Sequence, residues 1–569
     1  MSPSMVAEIK TWLQLSFWTA IRSMCELLPW LVSLVMVGHV STEDLAALSL
    51  VEVWIYTFLE IIWTGVSVTE SVLVSQAHGQ KSLLAMRGWT AMSVIVMIFL
   101  NVILAVLCLF TSPTLVSFGF EKDVADRGGI FALFIIAPLF TEGMNVCIAT
   151  YFTSFQLALV PTVLQFCTAL WDILFTYMLI FGLGNFEPLS SSLKGSAVGW
   201  TCSSALNLIA MLLCLRRVWG HELSYGTVGS EADEPEMKYR LMKSTTADTN
   251  HDVDLLESGD NGESTLNDFS KANLGLRSDS PFTTLLGETT HDNSNNTIES
   301  AGLNEIFRWI KSSKKWWQYA KQAVPNFSSI SFQSLSFFIM SFLAAKLGVI
   351  EIASHNTSLA LYEVIFTIVA GMSEATAIRI GFHVGRGDVQ AAKNVMLISF
   401  CVSCAWGVVV GTIGFIFREE IAACISSDPA VISMSVSFAP LVYCSYAVFS
   451  VGDQTLAALN GQGRASEEAA CSLVGMWLVS VPLFVVSYTC TDFGLRGLWF
   501  ALILGYIVAE LLAAVLIFRS DWDNIVREAV ERAEEEEEQV VDGISAGGAG
   551  SSGQGGRESC GDDNDERVT

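Results

Sequence analysis

The chain has 569 residues, of which 52% are hydrophobic and only 15% charged, whereas soluble domains carry about 25% charged residues, so an ordinary soluble enzyme is excluded. The net charge is −26, and residues 221–300 and 521–569 contribute −11 each, which leaves a nearly neutral apolar body. This distribution excludes a basic nucleic-acid-binding protein and a chain that is disordered throughout.

Twelve apolar runs are long enough to cross a bilayer as helices, which takes about 20 mostly apolar residues. Six precede the acidic segment 221–300 and six follow it. They lack the period-2 alternation of a membrane barrel, so the expected fold is an all-α integral membrane protein. In chain order the predicted spans are 14–37, 47–73, 89–111, 129–155, 161–183, 195–218, 324–346, 353–380, 395–417, 431–459, 470–490 and 496–518.

Lysine and arginine residues near the span ends predict the orientation, because cytoplasmic loops carry an excess of these residues. With the N-terminus inside, thirteen of them fall in inner connections and six in outer ones. This bias, together with the even number of spans, places both termini and the 221–300 segment in the cytoplasm. The plasma membrane and a vacuolar or other internal membrane are both consistent with it.

The acidic segments divide the chain into five predicted regions. Residues 1–220 form an N-terminal six-helix lobe, and residues 324–519 form a C-terminal one. Residues 221–300 and 520–569 are rich in acidic and small polar residues, which predicts a disordered cytoplasmic linker and a disordered cytoplasmic tail. Residues 301–323 mix aromatic residues with lysines, which predicts an amphipathic helix at the membrane interface.

The two halves carry matching motifs. Gly65 leads to a Gln-Ala-His-Gly sequence that ends at Gly79, and Gly371 leads to a Phe-His-Val-Gly sequence that ends at Gly385. Both glycine pairs are 14 residues apart, and an Ala-Pro-Leu sequence opens both the fourth and the tenth span. Halves with equal, even numbers of spans are parallel repeats, which build transporters whose two bundles rock around a site near the middle of the membrane.

Glycine-rich loops at the span ends carry a resemblance to a known family. The sequence Arg-Ile-Gly-Phe-His-Val-Gly-Arg-Gly-Asp at 379–388 resembles the loop after span 8 in the multidrug and toxic compound extrusion (MATE) family. The Val-Gly-His-Val sequence at 37–40 and the Gly-Gln-Gly-Arg turn at 461–464 are similar to other family motifs. The resemblance covers nearly all of residues 11–519. It implies twelve transmembrane helices in two six-helix bundles with pseudo-two-fold symmetry.

Carboxylates inside the predicted spans are the first candidates for a functional site, because an ionisable group costs about 2.5–3.5 kcal/mol on membrane-insertion scales. Trp171 beside Asp172 would add an aromatic face to such a site. By contrast, Glu52, Glu70, Glu374 and Glu510 are attributed to the membrane interface or to internal pairing for packing. The candidates for binding the coupling ion or the substrate are Asp172, then Glu26 and Glu60, with Asn145, Thr176, Thr201 and Asn207 as partners, and Gln333, Glu363 and Asp453 in the second half.

The family's acidic positions carry over to this chain only in part. The family's coupling carboxylate in span 7 lies eight residues after the proline that opens the span, and this position is Gln333, which cannot titrate. The span-10 acid aligns near Phe449, one helical turn before Asp453. In span 5 the family's Asn and Asp positions are taken by Asp172 and Thr176.

Carboxylates and aromatic rings around a shared cavity suit organic cations. A buried carboxylate that takes up a proton loses its attraction for such a cargo, so proton binding and cargo release would be linked. The resemblance therefore implies a monomeric secondary antiporter in the lipid bilayer. It would export organic cations or amphipathic metabolites in exchange for H⁺ or Na⁺, without a cofactor, a metal centre or a nucleic-acid partner.

Two other functions are consistent with parts of the sequence. A related flippase for lipid-linked sugars would need a cationic cavity for the pyrophosphate, and the spans contain few basic residues. A membrane scaffold would act through the acidic linker and tail. An enzyme is not expected, because the chain has neither a P-loop motif nor a cluster of His, Cys and Asp ligands in its sequence.

Overall fold

Long apolar runs form long helices here because a backbone in lipid must satisfy its hydrogen bonds internally. The structure is a computed structural model that describes residues 3–182, 189, 191–226, 305–425 and 428–531. These residues are helical apart from short turns, and no strand occurs among them. Ten described helices are long and apolar enough to cross a membrane, and two bent pairs bring the number to twelve. The predicted all-α membrane fold with twelve spans is confirmed.

The first lobe contains six membrane helices, two of which are irregular. The second helix includes a π-helical stretch, and the fourth bends by 47° between Phe134 and Ile136. Pro138 accounts for the bend, because a proline ring clashes with the carbonyl of the residue four positions before it, which here is Phe134. The helices are α1 (Pro3–Val40), α2 (Thr42–Val51, Glu52–Tyr56 and Thr57–Gly79), α3 (Leu83–Leu109), α4 (Lys122–Phe134 and Ile136–Ser154), α5 (Leu159–Phe181) and α6 (Ser192–Gly226).

The second lobe repeats this arrangement. Its fourth helix is again bent, by 49° between Tyr443 and Ser445, and short helices follow the third membrane helix of each lobe at Thr111–Ser117 and Arg418–Ile425. The membrane helices are α7 (Ser313–Leu347), α8 (Val349–Arg386), α9 (Val389–Ile416), α10 (Pro429–Gly461), α11 (Ala465–Ser472, Leu473–Ser480 and Val481–Thr489) and α12 (Gly494–Phe518).

The segment between the lobes forms a separate unit, residues 213–307. Its described parts, 213–226 and 305–307, are helical. The greater part of the predicted linker, 227–300, and the tail from 532 onward lie outside the described residues, so their disorder stays a prediction. In the predicted interfacial segment, α7 begins at Ser313 and runs without a break to Leu347, so residues 313–323 are the first turns of the seventh membrane helix.

Equivalent positions of the sequence repeat meet where the two lobes touch. A Cβ atom built on Gly79 of α2 would lie 2.1 Å from the carbonyl oxygen of Phe382 in α8. A Cβ atom built on Gly385 of α8 would lie 2.1 Å from the carbonyl oxygen of Gln76 in α2. The two helices therefore approach backbone to backbone, and only glycine allows this distance.

A second pair of contacts follows the same symmetry. A Cβ atom on Gly65 of α2 would lie 2.5 Å from the Phe327 ring of α7, and one on Gly371 of α8 would lie 2.5 Å from the backbone of Ala20 in α1. Thus α2 packs on α7 as α8 packs on α1. These paired contacts place a pseudo-two-fold axis between Gly79 and Gly385, as the parallel repeat predicts.

The seam between the lobes, formed by α1, α2, α7 and α8, differs at its two ends. Residues 69–79 of α2 and 375–385 of α8 are almost all buried. In contrast, 56–64 of α2 and 358–368 of α8 are almost all partly or fully exposed. We call the Gly79 and Gly385 end the closed end and the opposite one the open end.

A short amphipathic helix, residues 522–531, covers the closed end. Trp522, Val526 and Ala529 are 5%, 6% and 1% exposed and join the core to which α1, α8 and α9 contribute. The side chain of Gln80, just after α2, donates a hydrogen bond of 3.2 Å to the Ala529 carbonyl. The segment after α12 is therefore part of the folded unit, although the sequence predicts a disordered tail there.

Candidate functional site

Asp172 lies in the middle of α5 on a polar face. The buried residues Gln165, Thr168, Asp172 and Thr176 recur every three to four positions, which places them on one side of the helix. Asp172 is 6% exposed, and its Oδ1 atom accepts a hydrogen bond of 2.9 Å from the Ser203 hydroxyl of α6. The carboxylate is therefore held inside the first lobe by a neutral donor.

Trp171 does not share this site, contrary to expectation. It is 47% exposed, lies beside the exposed Leu170 and Leu174, and stacks on Phe175 with ring centroids 5.7 Å apart. Neighbouring positions on a helix point about 100° apart, so the two side chains cannot share one narrow face. The aromatic ring belongs to the outer apolar surface of α5.

Glu142 of α4 is a buried acid that the sequence analysis did not include among the site residues. Its Oε2 atom accepts a hydrogen bond of 2.9 Å from the Asn145 amide, which also donates to the Ser204 carbonyl of α6 at 3.1 Å. Glu142 lies within electrostatic range of both Asp172 and Glu26. The first lobe thus contains a group of interacting carboxylates rather than one acid.

The remaining predicted partners in the first lobe differ in position. Thr176 is 1% exposed, lies one turn from the central acid of α5 and faces Gly199 of α6. Asn207 of α6 donates to Gln165 of α5 at 3.1 Å. The hydroxyl of Thr201 bonds to a carbonyl of its own helix. Thr176 and Asn207 therefore line the α5–α6 contact, whereas Thr201 contributes locally.

Glu26 is paired with an arginine. Arg22 of α1 donates to Glu26 at 2.6 Å and to Glu374 of α8 at 3.0 Å, so one guanidinium joins acids from both lobes. The side chains of Arg22, Glu374 and Glu26 are 12%, 19% and 40% exposed. Glu374, which the sequence analysis attributes to packing or the interface, is therefore part of an ion pair across the seam.

Two of the predicted acids lie at the open end. Glu60 of α2 accepts a hydrogen bond of 3.1 Å from the Ser334 hydroxyl of α7, across the seam. Glu363 of α8 lies within electrostatic range of Glu60. Both acids are exposed, so they are accessible at the part of the seam that the lobes leave open.

Gln333 in α7 lies beside a carboxylate from another helix. Its amide donates to Ser329 at 3.4 Å, and the Ser329 hydroxyl donates to Glu468 of α11 at 2.6 Å. Glu468 is 6% exposed. The α7 position that lacks an acid is therefore connected through a serine to an acid that the sequence analysis did not identify.

Asp453 of α10 belongs to a hydrogen-bond network within the second lobe. It accepts a hydrogen bond from the Ser373 hydroxyl of α8, which also accepts from the Gln454 amide at 2.7 Å. Asp453 acts electrostatically on Glu468 and on Glu510 of α12. The second lobe thus has its own set of carboxylates, separate from the set around Asp172.

The closed end is held by an ion pair of a different kind. Arg379 of α8 donates to both oxygens of Glu8 in α1, at 2.8 and 2.6 Å, and His383 lies 3.2 Å from the same carboxylate. The Trp12 indole of α1 donates to Thr376 of α8 at 3.0 Å. These contacts connect α1 of the first lobe with α8 of the second lobe.

The arrangement of these groups in the described residues does not resemble a metal centre. In the part of the chain that the structure describes, no group of three or more His, Cys, Asp or Glu side chains is arranged to hold a metal ion. Carboxylates held by serine, threonine and asparagine donors can exchange protons or hold a weakly bound cation such as Na⁺.

Twelve membrane helices in two equivalent lobes, with carboxylates within the lobes and along their seam, define a multi-pass membrane protein with the architecture of a transporter. The MatE family model matches residues 19–178 and 325–486, more than half of the chain. The chain therefore belongs to the MatE family, as its loop motifs predict.

Individual relatives share only limited sequence identity with this chain, over part of its length. Multidrug and toxin extrusion protein 1 of Xenopus tropicalis is 26% identical over 226 residues, which is 39% of this chain and 39% of that protein. A probable multidrug resistance protein NorM of Photorhabdus laumondii is 28% identical over 187 residues, 32% of this chain and 40% of that protein. The chain thus spans about two fifths of the length of these curated relatives.

The fold itself matches over nearly the whole length of a solved structure. The eukaryotic MATE transporter AtDTX14 superposes with a TM-score of 0.70 at 18% identity, covering 93% of this chain and 99% of that one. At this identity the likeness shows the fold alone. It agrees with the two six-helix lobes described above.

Proposed function

We propose that the protein is a secondary active antiporter that exports organic cations or amphipathic metabolites across a membrane in exchange for H⁺ or Na⁺. The observation that carries the proposal is the placement of carboxylates on both sides of the seam. Glu60 and Glu363 are exposed at its open end, and Asp172 and Glu142 are buried in the first lobe. Relatives named for multidrug extrusion support export of foreign compounds as the direction and cargo.

Transport would proceed by rocking of the two lobes about the pseudo-two-fold axis. The described arrangement is closed at Gly79 and Gly385, which the predicted topology places on the cytoplasmic side. Opening that end requires the Glu8–Arg379 ion pair to break, and closing the opposite end brings Glu60 and Glu363 nearer to each other. Each arrangement would expose the acids to one side of the membrane only.

Coupling would follow from the charge of the acids. Ionised carboxylates attract an organic cation, and binding of H⁺ or Na⁺ removes that attraction, so the two compete for the protein. Asp172 is the first candidate for this exchange, with Ser203 as the donor that orients it. Glu26 would take part only when Arg22 releases it. Asp453 and Glu468 are the corresponding candidates in the second lobe.

The proposal includes the setting of the protein. Both termini and the 221–300 linker face the cytoplasm, and the protein works as a monomer without a cofactor, in the plasma membrane or a vacuolar or other internal membrane. Transport does not require residues 227–300 of the linker or residues 532–569 of the tail. Deletion of residues 227–300 and 532–569 is therefore expected to leave transport intact, whereas a scaffold that acts through these segments would lose its activity.

The decisive experiment measures uptake of a fluorescent organic cation into liposomes that contain the purified protein. An imposed pH gradient, or a Na⁺ gradient, is expected to drive accumulation that stops when an ionophore collapses the gradient. Liposomes without protein are the control. Equal uptake with and without both gradients would contradict the antiporter, and translocation of a lipid-linked sugar in the same liposomes would favour the flippase instead.

A further inference from the structure

Glu70 of α2 is a carboxylate that the proposed coupling does not use. It is 0% exposed, and neither of its oxygens has a hydrogen-bond partner in the part of the chain that the structure describes. The hydroxyls of Thr90 and Ser93 in α3 and the thiol of Cys147 in α4 are polar groups close to it. The sequence predicts a role for Glu70 in packing or at the membrane interface, and its complete burial is incompatible with the interface.

The second half of the chain covers this carboxylate. Tyr319, in the first turns of α7, is 3% exposed, and its hydroxyl lies 3.2 Å from that of Ser93. Glu70 acts electrostatically on Tyr319, so the phenol and the acid are close together. Glu70 is therefore enclosed by three helices of the first lobe and by one helix that belongs to the second lobe.

The internal repeat provides a comparison for this position. Because Gly65 is equivalent to Gly371 in the internal repeat, Glu70 is equivalent to Thr376 of α8. The Thr376 hydroxyl is fully used, because it accepts from the Trp12 indole at 3.0 Å and donates to Gln454 at 2.7 Å. At the equivalent position the second half thus has a neutral, hydrogen-bonded side chain. An acid is not needed there for packing alone.

The charges around Glu70 do not favour its ionised form. The titratable groups that face it, Cys147 and Tyr319, are neutral acids. Lys315, one turn before Tyr319 on α7, instead places its ammonium 5.0 Å from the centre of the Trp309 ring. An ionised carboxylate that is buried without a positive partner costs several kcal/mol, and a protonated carboxyl avoids this cost.

We propose that Glu70 is a second proton-binding site, distinct from Asp172, which carries a proton while the closed end is shut and is exposed for release when α7 moves away from α3. Loading transfers a proton from water to one carboxylate oxygen of Glu70, and release returns it to water on the side to which the closed end opens. The release step rests on the proposed antiport, whereas the presence of the bound proton does not.

Infrared spectroscopy of the purified full-length protein tests the bound proton directly. A protonated carboxyl gives a carbonyl stretch that an ionised carboxylate lacks. We expect this band at neutral pH in the parent protein, and we expect the Glu70→Gln variant to lose the component of the band that Glu70 contributes. The matched control is Glu43→Gln, because the side chain of Glu43 is 63% exposed, and this variant is expected to keep the band.

Two further variants extend the test. The first serves if Glu70→Gln does not fold, and the second tests whether Tyr319 covers the carboxyl. Glu70→Thr introduces the residue of the second half, and it is expected to lose the same component of the band. In the parent the band shifts slowly after transfer to D₂O, and Tyr319→Ala is expected to make this shift several-fold faster because it uncovers the carboxyl.

The proposal is overturned if the Glu70 variants lose an ionised-carboxylate band and keep the protonated one, and a response of that ionised band to Na⁺ would assign the site to Na⁺ instead. In the liposome assay, Glu70→Gln is expected to lower the number of protons exchanged per cation. Failure of the parent to transport would remove the antiport but leave the infrared result intact.

Discussion

Arg22 of the first lobe lies 3.0 Å from Glu374 of the second lobe, and the same guanidinium lies 2.6 Å from Glu26 on its own helix. A single positive charge fixed in the protein is thus shared by two of the acids at the seam. Under the proposed rocking of the lobes, Arg22 would separate from one of its partners, so this ion pair would favour the described arrangement over the opposite one.

The Arg22–Glu374 pair is expected to stabilise the described arrangement. Charge-assisted hydrogen bonds contribute about 1.5–3 kcal/mol, so Arg22→Gln should lower the thermal unfolding temperature more than Arg22→Lys does. A double-mutant cycle with Glu374→Gln measures the coupling, expected at about 0.5–3 kcal/mol. Strictly additive effects of the two substitutions would show that the pair does not hold the lobes together.

Asp172 and Trp171 offer a matched test on adjacent positions. Asp172→Asn keeps the side chain's shape but removes its charge, and it is expected to reduce gradient-driven transport about 10- to 100-fold, in line with the loss of one charge-assisted interaction. Trp171→Phe changes only the outer surface of α5 and is expected to leave transport within about twofold of the parent, since surface changes alter energies by about 0.5 kcal/mol.

The pH profile of transport separates a coupling role from a packing role for Asp172. If Asp172 exchanges a proton, the transport rate of the Asn variant should vary less steeply with pH than that of the parent over the same range. Ser203→Ala removes only the donor at 2.9 Å and is expected to shift the profile while keeping its shape. An Asp172→Asn variant with the parent's rate and profile would remove this residue from the mechanism.

The backbone contact at the closed end can be tested with a single methyl group. Gly385→Ala would place its Cβ 2.1 Å from the Gln76 carbonyl, and overpacking of this kind costs about 1–3 kcal/mol. Hydrogen–deuterium exchange is expected to increase in residues 69–79 and 375–385. Gly38→Ala is the control, because its Cβ would meet only the flexible Leu45 side chain, at 3.2 Å. Unchanged exchange in the Gly385 variant would mean that the lobes do not close here.

The 522–531 helix is expected to detach when its largest anchor is removed. Truncation of a buried tryptophan costs up to about 3–5 kcal/mol, so Trp522→Ala should make the segment after α12 sensitive to limited proteolysis. Arg527→Ala, on the exposed side of the same helix with a side chain 67% exposed, should not. Equal cleavage of the two variants would argue against docking of this helix at the closed end.

The number and type of helices could be predicted because apolar run length alone decides what can cross a membrane. The bend in α4 could also be predicted from the sequence, because a proline such as Pro138 disturbs a helix near the residue four positions before it. Glu142, four residues after that proline, lies inside the predicted fourth span, so the sequence alone indicates its depth in the membrane. The contacts made by the first turns of α1 could not be predicted, because Trp12 and Glu8 contact residues of α8 that are distant in sequence.

The site could be predicted less completely than the fold. The polar periodicity of α5 indicates the buried face of Asp172, and the same periodicity, read one position earlier, places Trp171 outside it. The pair of Arg22 and Glu26 is visible as an i, i+4 spacing. Its third member, Glu374, and the neighbour of Gln333, Glu468, depend on which helices touch, and a single sequence does not contain that information.

The glycines at 79 and 385 are far apart in the chain but lie at the same crossing of two helices. A side chain added to either one pushes against the same crossing of two backbones, so the second addition would cost less than the first. Elsewhere equivalent positions of the two halves carry different residues, as Glu70 and Thr376 do. At this crossing the backbone of each half limits the side chain that the other half can carry, so the two positions constrain each other.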